Sequence, residues 1–245
     1  MTPIRSAGNI VAIHEAIAAA VPTRDCIVDG GQPYSWAATT ARSRRLARAL
    51  VAAGVGGRVA VDAAPWQSPH DHVALYLTNG VHYLDAMLAS WKARAASINI
   101  NYRYTAAELQ PVFASAQPRA FIFHRRFGPT LAESLRSFPG LDPLLIAVDD
   151  GSEAEVPEGA IDHDDFVAGH DDGPIDLDWP GEDRYVVYTG GTTGNPKGVL
   201  WRQEDFLATA LGVARPLEEL VARAERPDRP RALPAPPFMH GAAHW

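Results

Sequence analysis

The sequence predicts an α/β chain built on a mostly parallel sheet with helices on both faces. Three observations carry that prediction. Short apolar runs recur at residues 73–77, 120–123 and 144–148, each bounded by polar or turn residues, and a further strand is read at 97–101. Between them lie segments of roughly ten residues whose apolar positions fall three and four apart, the helical period. The runs are apolar along most of their length rather than alternating, which suits strands covered on both sides.

The elements follow in order. Residues 9–20 place Ile10, Ile13 and Ile17 near one face, with Val21 just beyond, and read as a helix. Residues 26–29 and 32–34 read as a hairpin turned at Gly30-Gly31. Ser35 can cap the next helix, which runs to about residue 53, stops at Gly54, and has Leu46, Leu50 and Val51 on its apolar side. Its Arg42, Arg44 and Arg45 could suggest an anion site, but a solvated helix face is the simpler reading. Residues 54–72 read as irregular, and Asn79-Gly80 turns the first long strand into a helix over 81–93. Thr105 with Glu108 three residues later is a capping-box pattern opening a helix over 106–114. A helix over 129–138 precedes the strand at 144–148. Residues 184–188 and 199–202 read as strands, and 204–211 and 217–226 as helices interrupted by Pro216. Pro227, Pro230, Pro234, Pro236 and Pro237 then impose an extended run.

Composition narrows the classes of function. A 47% hydrophobic share over 245 residues is ample for a core. The net charge of -7 is unevenly placed: residues 149–183 hold fourteen of the 29 acidic residues and no Lys or Arg. That stretch, rich in Gly and Pro, reads as an acidic, solvated connector. The single cysteine, Cys26, excludes a disulfide framework and fits a reducing, cytoplasmic compartment. It lies in a short apolar run and reads as a buried structural thiol. No apolar run approaches the roughly eighteen residues of a membrane span. No basic cluster interleaved with aromatics suggests a nucleic-acid partner. His70-Asp71-His72 and Asp162-His163-Asp164-Asp165 carry metal-ligating side chains, but adjacency on a loop fixes no coordination geometry, and neither is assigned a metal.

Residues 188–199 concentrate the chemistry: Tyr-Thr-Gly-Gly-Thr-Thr-Gly-Asn-Pro-Lys-Gly-Val, with a strand-like run leading in. Glycines let the backbone turn tightly and approach a ligand. Freed N–H groups and the hydroxyls of Thr189, Thr192 and Thr193 can then surround phosphate oxygens, and Lys197 can neutralise their charge. The segment is not the common nucleotide loop, because Lys197 precedes Gly198 rather than Ser or Thr, and it has no dinucleotide glycine pattern. Lys197 is one of two lysines among 22 basic side chains, so a compact ammonium is favoured here over the planar arginine fork.

This segment resembles the signature loop of the adenylate-forming (AMP-binding) superfamily, with Gly190 where serine is common. The likeness continues in Leu75-Tyr-Leu-Thr-Asn-Gly80, in Tyr83-Leu-Asp-Ala-Met87, in Ile98-Asn-Ile-Asn-Tyr-Arg-Tyr-Thr-Ala-Ala-Glu-Leu109 and in Pro237-Phe-Met-His-Gly241. The chain is similar to the N-terminal part of an acyl-CoA synthetase, in particular the actinobacterial fatty-acid and sterol-side-chain CoA ligases. The resemblance implies an incomplete N-terminal domain of the adenylate-forming fold, with residues 1–245 one truncated AMP-binding portion and 149–183 its acidic connector. It implies ATP, Mg2+ and coenzyme A as co-substrates and cofactor. A carboxylate would attack the α-phosphorus of ATP, and the thiol of coenzyme A would then displace AMP. Lys197 and Thr193 are the expected catalytic residues. Thr189, Gly190, Gly191, Thr192, Thr193, Gly194 and Lys197 are expected to hold the nucleotide, and His240 and Gly241 to lie beside the acyl pocket; the metal ligand is unassigned. The family's adenine-contacting segment, ribose-binding aspartate and C-terminal lysine have no counterpart here, so the chain is expected to be inactive alone. The alternatives are a non-catalytic nucleotide-binding chain, half of a split ligase whose partner is the missing half, or a nucleotide-hydrolysing enzyme using the same loop.

Overall fold

Apolar runs that cannot face water on either side must stack in the middle of a layered structure, and they do. A computed structural model describes residues 8–57, 59–60, 62–64, 66–189, 196–213 and 215–244. Helix α1 (Ile10–Ala20) starts on Asn9, whose side chain accepts from the Val11 amide. Strands β1 (Asp25–Asp29) and β2 (Gln32–Ser35) pair antiparallel across Gly30 and Gly31, both at positive φ, which the tight turn requires. Helix α2 (Trp36–Ala52) begins on Ser35, whose hydroxyl accepts from Ala38 N.

Strands and helices then alternate: β3 (His72–Tyr76), α3 (Val81–Lys92), β4 (Ala96–Asn99), α4 (Ala106–Ala116), β5 (Ala120–His124), α5 (Gly128–Arg136) and β6 (Leu144–Val148). The Thr105–Glu108 capping box forms in full. Further on come β7 (Ile161–Asp162), α6 (His163–Val167), β8 (Arg184–Thr189) and β9 (Lys197–Arg202). The short α7 (Gln203–Asp205) passes into a π-helical turn over Phe206–Ala210, and α8 (Leu217–Glu225) follows.

Strands β3 to β7 form one parallel sheet in the order β4-β3-β5-β6-β7. Residues alternate between its faces. Val73 and Leu75 meet Leu46 and Leu50 of α2 and Tyr83 of α3, while Ala74 and Tyr76 meet Leu109 and Phe113 of α4. The chain steps from β3 to β4 on one side and crosses to β5 on the other. The carboxyl ends of β3 and β5 therefore flank a topological switch, where open α/β sheets bind ligands. Strands β8 and β9 form a separate antiparallel pair. Among the described residues no helix is long and apolar enough to cross a membrane.

Several expectations change. The helix read over 204–211 is a short α turn followed by the π turn, with Leu211 N donating to Phe206 O across five residues. The acidic stretch carries β7 and α6 and folds back onto α2. Arg45 pairs with Asp172 at 2.8 Å, Arg48 with Asp171 at 3.3 Å, and Arg48 also donates to Pro174 O at 2.6 Å. Arg42 pairs with buried Asp85 at 2.5 Å, and Arg44 pairs with Glu15. The arginines of α2 are thus occupied by acidic partners remote in sequence rather than simply solvated. Lys92 is fully buried, 2.5 Å from Glu15, and burial lowers it to about 8. Cys26 is half-buried rather than buried, and burial pushes its thiol up to about 11, which keeps it from ionising near neutral pH.

In the two segments with metal-ligating side chains, the histidines are engaged in other hydrogen bonds. His70 Nδ1 bonds Arg94 O at 3.0 Å and its Nε2 accepts from Arg184 N at 3.2 Å; His72 Nδ1 bonds Ala116 O at 2.6 Å. His163 bonds the neighbouring Asp164 at 3.1 Å, and no group of three potential ligands occurs among the described residues.

Candidate active site

The register of β8 and β9 places Thr189 directly opposite Lys197. Strands β8 and β9 are therefore the two arms of a hairpin. Gly190, Gly191, Thr192, Thr193 and Gly194 lie outside the described residues; the base on which they stand is described. Residues directly opposite in an antiparallel pair share a face. Thr189 and Lys197 are both exposed and project on the same side of the hairpin.

The next pair, Tyr188 and Gly198, explains the glycine after the lysine. A Cβ at position 198 would stand 2.9 Å from the Tyr188 ring, so only glycine lets the ring lie across the strand. The Tyr188 hydroxyl meets Ser115 of α4 at 2.5 Å, and burial raises its pKa. At the other end of β8, the Arg184 amide is held by His70, and Asp183 is held by Arg94 at 2.7 Å. Burial lowers the pKa of His70, consistent with an uncharged ring whose Nε2 can accept.

Two asparagines at the carboxyl end of the sheet organise the rest. Asn99 closes β4 and is 6% exposed. Its Oδ1 accepts from Tyr188 N at 2.7 Å, while its Nδ2 donates to Tyr188 O at 2.9 Å and to Met239 O at 2.6 Å. Asn79, between β3 and α3, accepts from Phe238 N at 2.6 Å and donates to Pro236 O at 3.4 Å. Tyr83 OH donates to Phe238 O at 2.9 Å. The proline-rich run is thereby brought to the switch point, where Thr78 N also donates to His124 Nδ1 at 3.2 Å. Burial lowers His124 to about 4, so the ring is uncharged and free to accept.

Beyond Met239 the chain exposes His240 and half-buries Gly241. His240 lines a cavity of about 60 Å³ with Asn99, Asn101, Tyr104 and Tyr188, next to the base of the hairpin. A larger apolar cavity of about 440 Å³ lies on the other side of β8, walled by Ile13 and Ile17 of α1, Trp91, Tyr185, Leu207 and Leu220, with Arg223 at its margin. Its histidine is His244, not His240. His244 Nε2 bonds Phe238 O at 2.8 Å, its Nδ1 meets the Tyr185 hydroxyl, and burial lowers its pKa. Sequence reasoning passed over His244 and both asparagines. Their partners lie far along the chain, and the one available signal was the polar residue ending an otherwise apolar run. A polar cleft of about 1030 Å³ opens beside β9 and carries Lys197 and Arg119 on its wall.

The chain thus combines three features: a hairpin with Thr189 and Lys197 paired across its base, a segment bearing His240 fastened beside it, and an apolar cavity behind. Residues 14–245 match the family described as AMP-binding enzyme. Medium-chain acyl-CoA ligase Mig of Mycobacterium avium is 36% identical over 254 residues, covering 100% of this chain and 46% of that protein. The 3-oxocholest-4-en-26-oate--CoA ligase of Rhodococcus rhodochrous is 33% identical, covering 97% of this chain and 42% of its own length. The crystal structure of the anthranilate CoA ligase AuaEII superposes with a TM-score of 0.68 at 19% identity, over 85% of this chain and 37% of that one, a likeness of fold. The chain spans less than half the length of these curated relatives.

Proposed function

Because the chain belongs to the AMP-binding enzyme family, we propose that it supplies the phosphate-holding part of an ATP-dependent acyl-CoA ligase acting on an apolar carboxylic acid. The observation that carries this reading is the cross-strand pair of Thr189 and Lys197 at the base of the glycine- and threonine-rich loop. In the first step a carboxylate oxygen attacks the α-phosphorus of ATP. The bond to the bridging oxygen breaks, and pyrophosphate leaves with that electron pair. Lys197, with the hydroxyls of Thr189 and Thr193 and the amides of Gly190, Gly191, Thr192 and Gly194, offsets the charge gathering on the departing phosphates. Holding the β- and γ-phosphates also aligns the α-phosphorus with the incoming carboxylate. In the second step the thiol of coenzyme A adds to the acyl carbonyl and AMP leaves.

Mg2+ would enter with ATP and neutralise phosphate charge. The hydroxyls of Thr189 and Thr193 are hard oxygen donors, the ligand type that suits such an ion; no group of three potential ligands occurs among the described residues. The acyl body suits the apolar cavity, whose volume falls within the range of small-molecule sites. The relatives' names, one a medium-chain ligase and one a sterol-acid ligase, bracket the substrate class. We further infer that residues 1–245 bind nucleotide but do not turn over alone, in a reducing cytoplasmic setting.

Acid-dependent ATP–pyrophosphate exchange, assayed with fatty acids of graded length, tests the proposal. The chain alone is expected to bind a magnesium–ATP analogue in calorimetry while exchanging little. Lys197→Ala is expected to weaken analogue binding about tenfold and to leave stability nearly unchanged, since its side chain is exposed. Vigorous ATP hydrolysis indifferent to added acid would replace the ligase reading with a nucleotide-hydrolysing one.

A further inference from the structure

We propose that Asn99 is a positioning residue that sets the phosphate hairpin and the His240 segment in register, so that nucleotide and carboxylic acid are aligned through one side chain. The proposal rests on the ligase reading above and adds to it the element that couples its two sites.

The chemistry of a carboxamide makes the case. The asparagine side chain offers one acceptor oxygen and two N–H donors. At Asn99 all three functions have partners: the amide and carbonyl of Tyr188, and the carbonyl of Met239. Bonding both the N–H and the C=O of one residue is what a neighbouring strand does in a ladder. Strand β8 runs beside β4 but belongs to a different sheet, so the side chain supplies the bridge there. Its third bond reaches a segment some fifty residues further along.

Position gives the bridge its consequence. Tyr188 directly precedes Thr189, the first residue of the phosphate loop, and Met239 directly precedes His240. A displacement of either segment is passed to the other through this buried amide, which acts at the loop end of β8. A second tie acts at the far end of β8, where His244 meets the Tyr185 hydroxyl. Asn79, Tyr83 and His244 hold Phe238, and Ser115 holds the Tyr188 hydroxyl. Removing the Asn99 side chain therefore leaves both segments anchored but cuts the link that joins the loop end of β8 to Met239. Aspartate cannot substitute: its carboxylate has no donor for the two carbonyls and would face them as a like charge.

Amide hydrogen exchange and calorimetry on the whole 245-residue chain, with magnesium and a non-hydrolysable ATP analogue, provide the test. In the wild type the analogue should slow exchange both at residues 184–189 and at 236–241. In Asn99→Ala, affinity should fall about fivefold or more and the added protection should be confined to the hairpin; Asn99→Asp should behave likewise. The proposal is overturned if Asn99→Ala binds within twofold of wild type and still protects both segments. It is equally overturned if wild-type protection never reaches 236–241, a measurement that decides the matter even should the variants fail to fold. If the wild type binds no analogue, or Lys197→Ala binds as well as wild type, the ligase reading falls and the coupling with it. Loss of binding in Lys197→Ala but not in Asn99→Ala removes the coupling alone.

Discussion

The parallel sheet and the β8–β9 hairpin are both made of extended chain, yet different forces hold them in place. Each inner strand of the sheet is laddered to neighbours and packed on both faces, with Phe121 and Ile122 of β5 in opposite apolar clusters. The hairpin has a backbone ladder within itself alone. Tyr185 and Val187 pack on one side and Val186 and Tyr188 on the other, but its alignment with β4 depends on Asn99 and that of its base on His70. A sheet held by area tolerates small polar changes and suffers from lost volume. A hairpin placed by a few directional bonds suffers from changes of one donor or one methyl group, and it carries the loop proposed to hold phosphate.

The sharpest way to break the comparison is to remove core volume from the sheet. Phe121→Ala, at a position with no solvent exposure, should cost about 3–5 kcal/mol in denaturant unfolding. A loss well below that would mean the sheet is not the scaffold. A smaller effect is expected from adding a methyl group to the hairpin. Gly198→Ala forces the Tyr188 ring aside and should cost about 1–3 kcal/mol. Unlike the sheet variant, it should also weaken ATP-analogue binding at temperatures where the protein remains folded. If binding is unaffected, the tyrosine does not set the hairpin.

The gentlest probe is pH. Burial holds the pKa of His70 below its ordinary value of 6.5 despite the nearby Asp183 carboxylate, with Arg94 and Arg184 opposing protonation. The unfolded chain then binds more protons than the folded one as pH drops below 6.5. The stability contributed by the neutral ring is present above that value and is lost on acidification. Protonation also places a donor where Nε2 accepts from Arg184 N. The protection of the Arg184 amide, taken relative to its intrinsic exchange rate at each pH, is therefore expected to fall on mild acidification before that of the β5 amides, and simultaneous loss in both would erase the distinction between the two regions.

Much of the scaffold was legible because its causes are local. The strand at 144–148, the hairpin across Gly30-Gly31, the Ser35 cap and the Thr105–Glu108 capping box depend on residues within a few positions of one another. The two strands flanking the glycine-rich bend were legible in the same way, but their antiparallel pairing, apart from the parallel sheet, was not. Illegible were the acidic partners of Arg45 and Arg48, more than a hundred residues away, and the burial of Lys92 against Glu15. The π turn at 206–210 also escaped, since a period of five differs from a helix by a single displaced bond.

The sequence by itself determined which segments become strands and helices, and where a glycine- and threonine-rich segment interrupts them, because propensity, capping and turn chemistry act over a handful of neighbours. Only the tertiary structure decided that Asn79 and Asn99 are clamps, that His244 rather than His240 borders the apolar cavity, and that the acidic stretch closes over α2. Those roles are made by hydrogen bonds and charge pairs between residues brought together by packing, and a linear pattern holds no record of which distant partner a polar side chain will meet.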